Sequence, residues 1–136
     1  HAQESDADYI GFRVNGVPSI LTHFGFWGEY VTLAALKNVA ATTEIGTPAH
    51  EHVTFHVYKH PEEYKCEWIQ CPDFLRGRDD IRLTIDTPDD LKNALEVYSD
   101  LKTKHGDFSL QDIVVYLDAH EEIKQSMLKN IHENKK

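Results

Sequence analysis

Apolar and polar positions alternate most clearly at Ile81-Arg82-Leu83-Thr84-Ile85, the period-two pattern of a short strand. The pattern changes at Asp86. Thr87 has the hydroxyl of an N-cap, Pro88 suits the first helical position, and Asp90 stands three residues after the cap. Leu91, Leu95, Tyr98 and Leu101 continue at helical spacing to about Lys104, where His105-Gly106 ends the helix. Asp86 is therefore expected at the carboxyl end of a strand and the mouth of a helix, where open α/β sheets bind ligands. A carboxylate buried there without a partner costs stability, and a divalent cation or a hydroxyl would satisfy it. An Asp before Thr-Pro also suits a turn or a cap.

Before this stretch, Ala2–Ala7 reads as the end of a helix running into a strand at Asp8–Phe12, and Asn15-Gly16 signals a turn. Phe24-Gly25-Phe26-Trp27-Gly28-Glu29-Tyr30 sets two glycines among aromatics, as for backbone held near a ligand or another chain, or for a cluster packing the core edge. Thr32 can cap a helix Leu33–Asn38, and Ala40–Pro48 reads as a loop. A helix is expected over His50–His60, with His52, His56 and His60 along one face as a solvent-facing or hydrogen-bonded row. A zinc role for that row is the weaker reading, since H-E-x-x-H is not present. Lys65–Gln70 reads as a strand, and Cys71–Asp80 as a polar loop. Ser109 with Asp112 forms a capping pair ahead of a helix from Leu110 to Leu117, and Glu121–Asn134 forms the last helix.

Composition narrows the function classes. With 136 residues, 40% hydrophobic and 27% charged, the chain fits one domain, residues 1–136, with a modest core. A net charge of −9 without a basic patch argues against nucleic acid and anionic membranes as partners. No apolar run approaches the ~20 residues of a membrane span. Cys66 and Cys71 read as reduced thiols in a cytoplasmic protein. Three or four strands make a thin sheet for a stand-alone enzyme, and His1 has no methionine before it. The expectation is therefore an α/β fold with a partial mixed sheet and flanking helices, part of a larger protein.

Three segments carry a resemblance to a known family. Leu83-Thr84-Ile85-Asp86-Thr87-Pro88-Asp89-Asp90 resembles the L-T-V-D-T-P-E-D of cytidylyltransferases that make activated sugars, those of the spore-coat polysaccharide biosynthesis type. Glu51-His52-Val53-Thr54 resembles their E-H-V-T, and Gly25 to Leu36 resembles their strand-to-helix element. The resemblance spans nearly the whole chain and extends to the acylneuraminate and deoxy-octulosonate cytidylyltransferases. It implies the C-terminal half of a nucleotide-diphospho-sugar transferase-like fold, working with sugar, CTP and Mg²⁺ in surface polysaccharide synthesis, as a homodimer.

By the same resemblance Asp86 matches a metal-binding aspartate, and Glu29 and Glu51 match acidic positions facing the sugar, where Arg82 would hold an anionic group. Trp27 stands where the family often has an acidic residue. The family's R-x-G-S-x-R-x-P-x-K nucleotide loop and its first metal-binding aspartate have no counterpart here. The chain alone is expected to be inactive, with the active site completed by an N-terminal half. The rival expectation is a non-catalytic binding or assembly module, with Phe24, Phe26, Trp27 and Tyr30 as a partner interface.

Overall fold

The computed structural model describes residues 2–48 and 52–134. Their elements run β1 (Tyr9–Val14), β2 (Val17–Pro18), a 3-10 turn at Ser19–Leu21, β3 (Tyr30–Val31), α1 (Leu33–Thr42) and α2 (Val53–Lys59). There follow β4 (Cys66–Gln70), a 3-10 turn at Asp73–Leu75, α3 (Pro88–His105), α4 (Leu110–Asp118) and α5 (Glu121–Glu133). The protein is mixed α/β, with a small sheet and five α-helices among the described residues. None of these helices is long and apolar enough to cross a membrane. Both cysteines are free thiols.

The chain gathers into two compact units. The first takes its described residues from 2–13 and 28–70. In it β1 pairs antiparallel with β3, Tyr9 facing Val31, and parallel with β4, Tyr9 facing Cys66 and Gly11 facing Trp68. Thr32 caps α1 as expected, its hydroxyl accepting from Ala35 N–H at 3.1 Å. The helix runs past Asn38 to Thr42, because Val39 is buried and the Thr42 hydroxyl donates to the Asn38 carbonyl at 2.8 Å. Ala35, Val39 and Val57 pack with Tyr9 and Tyr64. Gly11 is required by close approach: a Cβ there would lie 2.4 Å from Tyr9 Oη, so the phenol runs along its own strand over the glycine. Ala2, Gln3 and Glu4 form a turn instead of the expected helix end, and Ser5 Oγ donates to Glu67 Oε1 at 2.8 Å.

The second unit takes its described residues from 14–27 and 71–134. Phe24, Leu75, Ile81, Val97, Leu101, Leu117 and Met127 are buried in its core. Both expected capping boxes are present, Thr87 with Asp90 and Ser109 with Asp112.

Two expectations fail here. Ile81–Ile85 is not a strand. The backbone N–H groups of Leu83 and Thr84 both donate to one carbonyl, that of His23, at 2.7 and 3.0 Å. Among the described residues the segment has no ladder partner, and Ile85 is left 56% exposed while Arg82 is buried. Cys71–Asp80 is no polar loop either. Its 3-10 turn drives Leu75 to full burial beside buried Cys71. Leu75→Ala is therefore expected to cost about 2–5 kcal/mol, read as a lower urea midpoint at constant slope. A change under about 0.5 kcal/mol would restore the polar-loop reading.

Candidate functional site

Arg82 is the centre of the side-chain network around Asp86. Its guanidinium is 0% exposed and makes a two-pronged pair with Asp90, Nε to Oδ1 at 2.8 Å and Nη2 to Oδ2 at 2.9 Å. Nη2 also donates to Asp86 Oδ2 at 2.8 Å. Nη1 lies 2.6 Å from His23 Nδ1. Arginine has no acceptor, so His23 must present an unprotonated Nδ1 to it.

Asp90 is as tightly held. Beyond Arg82 it accepts from the backbone N–H of Asp86 at 3.1 Å and of Thr87 at 3.0 Å, and from Asn130 Nδ2 of α5 at 2.9 Å. Burial pushes the Asp90 carboxyl up, but the Arg82, Asn130 and backbone hydrogen bonds outweigh it and hold the group well below the usual carboxylate range. The same pairing with Asp90 raises Arg82 further above its ordinary value.

Asp86 itself immediately precedes the N-cap Thr87 of α3, and its side chain is 54% exposed. One oxygen is tied to Arg82, and among the described residues the other has no protein partner. Asp86 and Asp90 set two carboxylates against the single guanidinium of Arg82, and Asp89 adds a third acidic residue to the first turn of α3. An exposed hard oxygen donor with spare lone pairs in an acidic setting fits Mg²⁺, which keeps several waters and takes one or two carboxylates. His23 also lines a cleft of about 630 Å³ in this unit, with Asp79, Asp80, Leu128, Ile131 and His132, although Asp86 does not line it.

Glu29 belongs to the first unit. Its Oε1 accepts from the Tyr9 hydroxyl and its Oε2 from Thr54 Oγ1 at 3.2 Å. Burial, then the bond to Glu29, raises the Tyr9 phenol, so Tyr9 stays a donor. Tyr9, Tyr58 and Trp68 pack edge to face or tilted, with centroids 5.3–6.1 Å apart. Arg13 lies over Trp68 at 4.2 Å. Glu29 is thus a half-buried carboxylate oriented by two hydroxyls beside an aromatic wall.

Of the four residues expected at the site, Arg82 and Asp86 are brought into contact, Glu29 sits in the other unit, and Glu51 lies outside the described residues. Sequence reasoning missed Tyr9, Thr54, His23 and Asn130 as partners. It took Asp90 for a capping residue alone, since nothing in the local pattern signals its pairing with Arg82. In the expected aromatic interface, Phe24 is a core residue, with Phe26 and Trp27 packed against it. His52, His56 and His60 fall at the N-cap, within and at the C-cap of α2.

No family model matches the chain, and no solved structure matches it. Over 87 residues it is 37% identical to an uncharacterised protein of Methanocaldococcus jannaschii, covering 62% of this chain and 31% of that protein. Over 96 residues it is 26% identical to the spore coat polysaccharide biosynthesis protein SpsF of Bacillus subtilis, covering 71% of this chain and 39% of that protein. These matches take in about a third of the length of the curated relatives. The chain is distantly and partially similar to a protein named for spore coat polysaccharide biosynthesis.

Proposed function

We propose that these residues are the sugar-binding half of a nucleotidyltransferase of the cytidylyltransferase type. In that reaction a sugar hydroxyl or carboxylate oxygen bonds to the α-phosphorus of CTP as the bond to the β-phosphate oxygen breaks, releasing pyrophosphate. The likeness to SpsF supports the reading. The observation that carries it is the pairing of a half-exposed carboxylate, Asp86, with a guanidinium wholly removed from solvent.

Such a pairing positions a ligand atom. Arg82 is clamped by Asp90, so it holds Asp86 Oδ2 at a fixed place and leaves Oδ1 to a cation. Arg82 acts in this role through Asp86 as a positioning residue. When bound, Mg²⁺ supplies neutralisation of phosphate charge. Glu29, oriented by Tyr9 and Thr54, accepts hydrogen bonds from sugar hydroxyls, and Glu51 is assigned the same task by its E-H-V-T context.

A titration of the chain with Mn²⁺ as a paramagnetic stand-in tests the metal role. The backbone amide signals of Asp86 and Thr87 are expected to broaden at sub-stoichiometric Mn²⁺, and to stay sharp in Asp86→Asn. Equal broadening in both proteins would remove Asp86 from the site.

A further inference from the structure

We propose that the C-terminal end of α2 binds a late first-row transition dication, zinc being the physiological case, through His60, Glu62 and Glu63. This site is independent of Asp86 and of the nucleotidyl-transfer reading. It also differs from the histidine row of the sequence, because His52 caps the opposite end of the helix.

One nitrogen of His60 and one carboxylate oxygen each from Glu62 and Glu63 lie within 4.8 Å of one another. Ligands at tetrahedral angles around one zinc stand about 3.4 Å apart when each bond is ~2.1 Å. The cluster therefore needs only small side-chain adjustments to close on an ion. His60 Nδ1 lies 2.9 Å from Glu62 Oε1, and since an ionised carboxylate only accepts, the imidazole donates its proton there. A dication would take the place of that proton, leaving His60 to carry its hydrogen on Nε2.

The backbone under the ligands is fixed. The N–H groups of Glu63 and Tyr64 both donate to the His60 carbonyl at 3.0 Å, and Pro61 locks the intervening φ. Tyr64, buried, anchors the turn, its hydroxyl accepting from Asn38 Nδ2 at 2.9 Å.

A fourth donor is at hand. His56 stands one helical turn before His60, with ring centroids 4.4 Å apart, and a side-chain rotation brings it toward the same ion. A cleft of about 330 Å³ opens beside the two imidazoles, lined by His56, His60, Glu44 and Lys59 and not by Glu62 or Glu63. The Lys59 ammonium faces the ring of Phe55, 5.5 Å away. Imidazole mixed with carboxylate favours zinc, copper or nickel over Mg²⁺.

Tag-free protein titrated with Zn²⁺ against a chromophoric chelator is expected to take up one zinc per chain. His60→Ala, and separately Glu62→Gln with Glu63→Gln, should each weaken binding tenfold or more, and His56→Ala several-fold. His52→Ala should leave it unchanged. Co²⁺ should give visible bands in the wild type that fade in the same variants. Binding equal in the wild type and the Glu62→Gln/Glu63→Gln variant, or no saturable binding, overturns the proposal. That carboxylate pair is exposed, so the variant also decides the matter should His60→Ala disturb the helix end.

Discussion

Replacing Arg82 by Met is expected to destabilise the second unit by about 3–5 kcal/mol, the usual cost of removing one member of a buried ion pair. The size follows from what remains. Asp90, its side chain 1% exposed, would keep its charge with two backbone N–H groups and the side chains of Asn130 and Thr87 as its remaining partners. Adding Asp90→Asn should recover part of the loss, because an amide is cheaper to bury unpaired than a carboxylate and can still cap α3. Urea denaturation of the two single variants and the double one gives the coupling between the sites. Additive losses would show that the pair is not coupled.

The same carboxylate sets the acid limit of the unit. Asp90 is held below its unfolded value, so the folded state binds its proton less readily than the unfolded chain does. The stabilisation is complete above the unfolded carboxylate value of ~3.9 and is lost as pH falls below it. In the Arg82→Met background that acid-dependent part should shrink. An acid limb identical to that of the wild type would place the linkage elsewhere.

What the sequence made legible was local. Each capping box closes within three residues, so hydroxyl and carboxylate announce each other, and Thr87/Asp90 and Ser109/Asp112 were both readable. At the site the local pattern placed Asp86, while Arg82 was named without its partners. Asp86 could be placed beside a helix start from Thr-Pro. Its partner Arg82 is joined to Asp90 eight residues on and, through Asp90, to Asn130 forty residues beyond, spacings that leave no periodic trace. Alternation at Ile81–Ile85 misled because the pattern does not show whether the backbone meets a strand or, as here, a single carbonyl. Leu75 was hidden for a similar reason. Two adjacent apolar residues, Phe74 and Leu75, among Asp73, Arg76 and Arg78 set no period, and only tertiary packing reveals that Leu75 is core. The pairing of Tyr9 with Glu29 needs Gly11 to be bare, which a strand pattern does not show.

The most direct measurement is CTP-dependent pyrophosphate release by the protein of the complete open reading frame, with Asp86→Asn alongside. Asparagine keeps the size of the side chain but loses the charge that draws in Mg²⁺. The Asp86 side chain is also half exposed, so thermal stability should stay close to that of the wild type. Removing a group that stabilises transferring phosphate should slow release by about 10²-fold or more. Release at the wild-type rate by a folded Asp86→Asn protein, or no CTP-dependent release by the wild type, would contradict the account.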